Sequence, residues 1–189
     1  MEDDFVGDLR YEGHAQPSLK ALDPNGQVIY VGTFSKMLMP GLRVGFIVAD
    51  GPVYDRLLNF KRLSDLATST LIQRALDAYV TVGRYQTYLH RSSQAFRKRR
   101  DVMVDSIRKY LPSKVIFDIP TGGLFIWLKL PNGIFAEELL PLACKEGVSF
   151  MPGNYFLLII KMAKNGFASI SLLNLWKILK RESKGWAKR

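Results

Sequence analysis

The chain has 189 residues, of which 48% are hydrophobic and 23% charged, a composition that excludes wholesale disorder and fits about one domain. Its apolar runs are all shorter than the ~20 residues of a membrane-spanning helix, and its single cysteine, Cys144, excludes an intramolecular disulfide and predicts a reduced, cytoplasmic protein. The net charge of +10 lies mostly in residues 157–189, because residues 1–156 carry 19 basic and 16 acidic side chains; this argues against a nucleic-acid partner for the body of the chain.

The first part of the chain contains two predicted strands followed by two predicted helices. The turn residues 23–26 (DPNG) precede a predicted strand over 27–31, and a second strand is predicted over 43–49. Helical spacing of apolar residues follows over 53–63 and 69–82. The second of these helices is predicted to bury one stripe, formed by Leu71, Ile72, Ala75, Leu76 and Tyr79.

The pattern changes after Gly83. A long helix is predicted over 84–111, and Pro112 ends it. Strands are predicted over 115–117, 124–130 and 148–150, with a helix over 135–146 before the last of them.

These elements predict an α/β fold in three parts. Residues 1–83 form a mixed-sheet domain with helices. Residues 84–156 form a small α+β domain built on the long helix. Residues 157–189 form a basic tail.

Residues 32–46, with the sequence GTFSKMLMPGLRVGF, carry the strongest chemical feature. Lys36 follows a predicted buried strand, with Thr33 and Ser35 before it and Arg43 seven residues on. A lysine partly withdrawn from water near another cation becomes a nucleophilic amine, and hydroxyl groups with a guanidinium match a phosphate monoester. This combination suits pyridoxal phosphate; a surface loop with a solvated lysine is the alternative.

The same segment closely resembles the lysine segment of the fold-type I pyridoxal-phosphate enzymes, the aspartate-aminotransferase superfamily. It is most similar to the aminotransferase-like domain of GntR-family regulators of the MocR type. Three further stretches resemble family segments in the family's order: residues 2–11 (EDDFVGDLRY), residues 17–23 (PSLKALD), and residues 120–127 (PTGGLFIW) followed by MPG at 151–153.

The resemblance implies that residues 1–83 are the C-terminal part of the large cofactor-binding domain and residues 84–156 the small domain. It also implies a role for each matching residue. Lys36 is the catalytic residue that bonds to the cofactor aldehyde and moves a proton between the substrate Cα and the cofactor. Asp3 holds the pyridine nitrogen protonated, and Thr33 and Arg43 bind the phosphate with help from Ser35. No metal is expected. Relatives carry a tyrosine that bonds to the cofactor's phenolic oxygen where this chain has a phenylalanine.

The resemblance implies pyridoxal 5′-phosphate-dependent amino-group transfer between an amino acid and a 2-oxo acid, in a cytoplasmic homodimer when the protein is full length. The alternative is the effector-sensing domain of a GntR-type transcriptional regulator, which contacts DNA only through an N-terminal module absent from this chain. An inactive gene remnant is a third interpretation. Because family chains are about twice as long, we expect the chain alone to show little or no turnover and to contact neither nucleic acid nor membrane.

The tail departs from the family pattern after residue 156. Residues 157–171 read LLIIKMAKNGFASIS. With suitable codons, reading one base earlier gives IDNKDGKKWLRINF, which is the expected family continuation and includes an arginine that binds the substrate carboxylate. We therefore interpret residues 157–189 as frameshifted. The alternative is a basic amphipathic helix for a membrane surface or a partner, with an apolar face of Leu172, Leu175, Trp176 and Leu179.

Four weaker features have structural interpretations. The basic run at residues 97–100 is expected on the solvated face of the long helix. Cys144 and Trp127 are expected in the core. His14 and His90 are isolated, so neither is expected to bind a metal.

Overall fold

The computed structural model describes residues 1–156 and 167–171. The helices are α1 (Gly51–Ser64), α2 (Thr70–Thr81), α3 (Arg84–Tyr110) and α4 (Ala136–Lys145). The strands are β1 (Glu2–Asp4), β2 (Tyr30–Thr33), β3 (Gly45–Val48), β4 (Ile116–Phe117), β5 (Phe125–Lys129), β6 (Met151–Pro152) and β7 (Phe167–Ser171). The four predicted helices and the α/β class are confirmed. None of the described helices is long and apolar enough to span a membrane.

The chain divides into two units, Met1–Ser93 and Gln94–Arg189. The first contains a three-stranded sheet in the order β1-β2-β3, in which β1 runs parallel and β3 antiparallel to β2. Asp3 pairs with Val31, and Asp4 pairs with Gly32. Since successive side chains of a strand alternate between faces, Asp3, Val31 and Thr33 share one face of this sheet.

The turn before β2 is longer than the sequence predicted. The carboxylate of Asp23 accepts hydrogen bonds from the backbone N–H groups of Asn25 (3.1 Å) and Val28 (2.6 Å). The second bond engages Val28, near the start of the predicted strand 27–31. The observed strand β2 therefore begins only at Tyr30.

Helix α2 buries less than its periodicity predicted. Leu76 is buried, whereas Leu71 at the start of the predicted stripe is 80% exposed. Because Leu71, Ile72, Ala75 and Tyr79 are not buried in this structure, the prediction of a buried stripe holds at Leu76 alone.

The second unit contains an antiparallel sheet in the order β4-β5-β7-β6. In β5 the side chains of Ile126 and Leu128 are buried, at 0% and 2% exposure. Trp127 points to the opposite face, where it is 37% exposed and meets the ring of Phe156 edge-on at 5.8 Å. The prediction that Trp127 is a core residue is therefore wrong, because strand alternation separates it from its buried neighbours.

The end of α4 corrects two further predictions. The backbone N–H of Gly147 donates to the Cys144 carbonyl (3.0 Å), and that of Val148 donates to the Ala143 carbonyl (2.9 Å). Val148 thus closes the helix instead of beginning a strand over 148–150, and the observed strand is β6. Ala143 is buried, but Cys144, about 100° further around the helix, is exposed.

One member of the basic run lies inside the second unit. Arg100 is 3% exposed, and its guanidinium donates to the Pro120 carbonyl (2.8 Å) and to Oδ1 of Asp101 (2.7 and 2.9 Å). Arg97, Lys98 and Arg99 are exposed as predicted. The prediction that the whole basic run is exposed to solvent is therefore wrong at Arg100. Its charge is stabilised by hydrogen bonds, one of them to a backbone carbonyl of a loop distant in sequence.

The predicted tail falls mostly outside the described residues, which omit 157–166 and 172–189. The hypotheses of a frameshift and of an amphipathic helix therefore concern residues whose structure is largely not described. Within the tail, residues 167–171 form β7, which pairs with β5 and β6.

Candidate functional site

Lys36 lies in the turn that follows β2. The backbone N–H of Leu38 donates to the Phe34 carbonyl (2.9 Å) and closes one turn around the lysine. Ser35 and Met37, on either side, are buried at 8% and 5% exposure, whereas Lys36 itself is exposed. The neighbours therefore anchor the loop while the amine faces outward, in contrast to the partly buried amine that the sequence argument assumed.

Thr33 fastens this turn to the segment before β3. Its hydroxyl donates to the Val44 carbonyl (3.2 Å) and accepts from the Ser35 backbone N–H (3.1 Å). The Phe34 N–H also donates to the Val44 carbonyl, at 3.1 Å. Because Arg43 precedes Val44, these bonds bring the segments of Thr33, Ser35 and Arg43 together at one end of the β2–β3 pair.

Arg43 has a left-handed backbone conformation, with φ 50° and ψ 38°. It is the single non-glycine residue with positive φ in the described part of the chain. This conformation costs an L-residue about 1 kcal/mol, and such strain is found where the surrounding structure fixes a side chain for function. The side chain of Arg43 is exposed, like that of Lys36.

Asp3 lies on the same sheet face as Thr33, because Asp3 pairs with Val31 and Val31 precedes Thr33 by two residues. Its side chain is exposed. The fold thus places on adjoining segments the carboxylate, the hydroxyl groups, the amine and the guanidinium that the sequence singled out.

The opposite face of the sheet carries a cavity of about 270 Å³ that sequence reasoning missed. Its polar groups include two tyrosine–carboxylate pairs: the Tyr30 hydroxyl donates to Oδ2 of Asp4, and the Tyr85 hydroxyl donates to Oδ2 of Asp8, each at 2.8 Å. Aromatic and apolar side chains form much of the rest, among them Phe5, Phe34, Met37, Phe46 and Val80.

Burial and the carboxylate partners favour the neutral form of both tyrosines. Burial first, and then the hydrogen bond to Asp4, raise the pKa of Tyr30 to about 12. Burial first, and then the bond to Asp8, also raise the pKa of Tyr85 well above its usual value. The sequence offers no local signal for this cavity, because its polar pairs come from three separate segments, residues 4–8, β2 and the start of α3.

The described residues contain no group of three or more His, Cys, Asp and Glu side chains arranged to hold a metal ion. An organic cofactor with an aldehyde, a phosphate and a basic ring nitrogen requires an amine, a cation and a carboxylate. Lys36, Arg43 and Asp3 carry an amine, a guanidinium and a carboxylate, and all three residues are exposed. The hydroxyl proton of Thr33 is already donated to Val44, so in this structure Thr33 chiefly holds the loop.

The sequence of this chain is similar to those of known aminotransferases and transcriptional regulators. The sequence model of the family "Aminotransferase class I and II" matches residues 4–172. Aromatic-amino-acid aminotransferase 1 of Thermococcus litoralis is 37% identical over 156 residues, which cover 82% of this chain and 37% of that protein. The uncharacterized HTH-type transcriptional regulator YhdI of Bacillus subtilis is 37% identical over 152 residues, which cover 80% of this chain and 32% of that protein.

The structural comparison agrees with the sequence comparison. The crystal structure of LysN, the α-aminoadipate aminotransferase of Thermus thermophilus complexed with N-(5′-phosphopyridoxyl)-L-leucine, matches with a TM-score of 0.83 and 32% identity. That match covers 95% of this chain and 46% of LysN. The chain therefore spans less than half the length of these relatives.

Proposed function

The chain belongs to the class I and II aminotransferase family, and on this basis we propose that it is part of a pyridoxal-phosphate-dependent aminotransferase. Its reaction moves an amino group between an amino acid and a 2-oxo acid. Pyridoxal 5′-phosphate is the cofactor of the family, and a phosphopyridoxyl group is present in the LysN structure. When bound, the cofactor supplies an aldehyde for a primary amine and a ring that accepts electrons.

Five residues of the chain are proposed to serve this chemistry. Nζ of Lys36 bonds to the cofactor and takes and returns the proton of the substrate Cα. The Asp3 carboxylate keeps the proton on the ring nitrogen, and the Arg43 guanidinium binds the phosphate. Thr33 and Ser35 hold the loop that carries Lys36 and are proposed to assist in binding the phosphate.

The observation that carries this proposal is the loop around Lys36. An exposed amine lies between two buried anchors, Ser35 and Met37. Hydrogen bonds from Thr33 and Phe34 to the Val44 carbonyl join the loop that carries Lys36 to the Arg43 segment, whose backbone is strained. An ordinary surface lysine needs neither the buried anchors nor the left-handed arginine.

Chemical trapping tests the proposal directly. The chain is incubated with pyridoxal 5′-phosphate, reduced with borohydride and digested, and the added mass is located by mass spectrometry. We expect the mass on the Lys36 peptide, its loss in Lys36→Ala, and its retention in Lys145→Ala, which removes an exposed lysine at the end of α4. Equal labelling of many lysines, or unchanged labelling in Lys36→Ala, would contradict the proposal.

A regulatory function is the second candidate, favoured by the similarity to the regulator YhdI. In that case the same site detects an effector, and a DNA-binding module is encoded elsewhere in the protein. The gene's upstream coding sequence separates the two candidates: a helix-turn-helix segment supports the regulator, and an aminotransferase half that begins directly supports the enzyme.

Three finer points belong to the same proposal. The full-length protein is a cytoplasmic homodimer, as expected for this family. The chain alone shows little or no turnover, since it corresponds to only 37% of a relative such as the Thermococcus litoralis enzyme. The absence of a tyrosine hydroxyl at Phe5 changes the proton affinity of the bound cofactor, because a donor to its phenolic oxygen is missing.

The position of β7 supports the proposed frameshift. In the shifted reading, the segment LRINF occupies positions 167–171, which are the residues that form β7 between β5 and β6. Its arginine would stand at position 168. Sequencing the gene tests this hypothesis, and a coding strand that cannot yield LRINF in the shifted frame would end it.

A further inference from the structure

The first turns of α3 contact the lysine loop on both sides of Lys36. The Tyr88 hydroxyl donates a hydrogen bond to the Leu38 carbonyl, two residues after the lysine, at 3.2 Å. The Tyr85 ring meets the Phe34 ring, two residues before the lysine, edge-on with centroids 5.7 Å apart and planes at 69°. All of these residues belong to the unit Met1–Ser93.

Tyr85 is itself firmly held. It is 7% exposed, and its hydroxyl donates to Oδ2 of Asp8 at 2.8 Å. Asp8 lies shortly after β1, the strand that carries Asp3. Tyr85 therefore joins the segment after β1 to the lysine loop through a rigid ring that leaves little rotational freedom.

The Phe34 ring is also packed from the side of the sheet. Its centroid lies 5.6 Å from that of Phe46 in β3. Phe34 is thus enclosed between Tyr85 of α3 and Phe46 of β3. Movement of the loop at this point would cost both aromatic contacts, and movement at Leu38 would cost the bond from Tyr88.

The two tyrosines act from a single helical face, because residues three positions apart on an α-helix are neighbours. Helix α3 extends over 27 residues, which makes its first turns a stiffer support than a loop. A flexible, exposed lysine that must meet an aldehyde at one angle gains from a backbone fixed on both sides.

We propose that Tyr85 and Tyr88 are positioning residues for Lys36, which brace the backbone at Phe34 and Leu38 so that the amine is oriented before the cofactor arrives. This inference rests on the proposed function of Lys36. Neither tyrosine contacts the reacting atoms; each acts through the loop.

Amide hydrogen exchange in the cofactor-free chain measures how firmly Tyr85 and Tyr88 hold the lysine loop, with no reaction at Lys36. The variants are Tyr85→Phe and Tyr88→Phe, which remove one hydroxyl each, with Tyr54→Phe in α1 as the matched control because Tyr54 is 51% exposed. We expect exchange of the Leu38 amide to accelerate about three- to tenfold in the first two variants, the factor that loss of one hydrogen bond gives. Exchange at Ile126, in the other unit, and exchange in Tyr54→Phe should remain unchanged.

The rate at which pyridoxal 5′-phosphate is trapped on Lys36 provides the second readout. It should fall by a similar factor in Tyr85→Phe and Tyr88→Phe, while acetylation of Lys36 by acetic anhydride, which needs no fixed orientation, stays within about twofold. Trapping and exchange rates equal to those of Tyr54→Phe would overturn the proposal. Acceleration of exchange throughout the chain, or unfolding of both variants, would also overturn it by showing a general structural role.

The two readouts separate this inference from the proposed function. If the unmodified chain traps no cofactor on Lys36, the proposed function fails whatever the exchange rates show. If it does trap cofactor on Lys36 and the two variants match the control, only the positioning role fails.

Discussion

The ring of Phe46 lies directly over Gly32, its partner in the β2–β3 register. A Cβ atom added to Gly32 would stand 2.4 Å from Cζ of Phe46, far inside van der Waals contact. The ring also faces Tyr30 and Phe34, with centroid distances of 6.1 and 5.6 Å. The missing side chain at Gly32 thus makes room for the aromatic group that lines the cavity and supports the residue two positions before Lys36.

Gly32→Ala should therefore displace the Phe46 ring and lower the free energy of unfolding by about 1–3 kcal/mol. In the double variant with Phe46→Leu the alanine should cost less, because the obstructing Cζ is gone. Gly41→Ala is the control, since nothing lies within 4 Å of the added Cβ there. Urea unfolding is measured for five proteins, which are the unmodified chain, Gly32→Ala, Phe46→Leu, the double variant and Gly41→Ala. Equal costs at Gly32 and Gly41 would contradict the packing argument.

Substitutions at Arg43 should separate backbone strain from charge. A left-handed backbone conformation is unfavourable for alanine at position 43 but not for glycine. Arg43→Gly should therefore be more stable than Arg43→Ala by about 1 kcal/mol in urea unfolding. Both variants lose the guanidinium and should bind pyridoxal 5′-phosphate more weakly than the unmodified chain. Equal stability of the two variants would show that φ at this position is not constrained.

The hydrogen bond from Tyr30 to Asp4 should give the protein a specific alkaline sensitivity. The pKa of Tyr30 rises from 10.0 to about 12 on folding, chiefly through burial and then through Asp4. The contribution of Tyr30 to the free energy of unfolding is full below pH ~10, where the tyrosine is protonated in both the folded and the unfolded chain. The contribution declines between pH ~10 and ~12, because the tyrosine of the unfolded chain ionises first.

Urea unfolding from pH ~8 to ~12 tests this expectation. The stability advantage over Tyr30→Phe, about 1 kcal/mol at the lower pH for one hydrogen bond, should shrink above pH ~10. In Asp4→Asn the loss of stability above pH ~10 should extend over a narrower pH range, because the Asp4 carboxylate no longer raises the pKa of Tyr30. An advantage that stays constant to pH ~12 would rule out the assigned shift.

Removal of the buried guanidinium of Arg100 should destabilise the second unit. Arg100→Ala deletes the hydrogen bond to the Pro120 carbonyl and leaves that carbonyl without this donor, at an expected cost of about 2–4 kcal/mol. Arg99→Ala is the matched control: Arg99 is exposed, with its guanidinium carbon 5.0 Å from the Phe96 ring centroid, and should cost under about 1 kcal/mol. Similar melting temperatures for the two variants would refute the structural role of Arg100.

Local sequence patterns predicted most of the elements and their order. The helices α1, α2, α3 and α4 follow from apolar periodicity, because that pattern repeats over ten or more residues. The short strand β1 was not predicted, since three acidic residues acquire strand structure only through their pairing with β2. The lysine segment was also identified from local chemistry, and the roles of Asp3, Thr33, Ser35, Lys36 and Arg43 stay predictions.

The amino-acid sequence alone identifies the family and the candidate amine of Lys36, because each is recognised from short stretches of consecutive residues. The side chains that surround the Lys36 segment are known only from the tertiary structure. The burial of Arg100 and the hydrogen bonds of Tyr85 and Tyr88 depend on partners 20 to 77 residues away along the chain. The exposure of Cys144 depends on which side of α4 the fold covers. No local pattern encodes such partners, since burial and hydrogen bonding are set by whichever segment the fold places nearby.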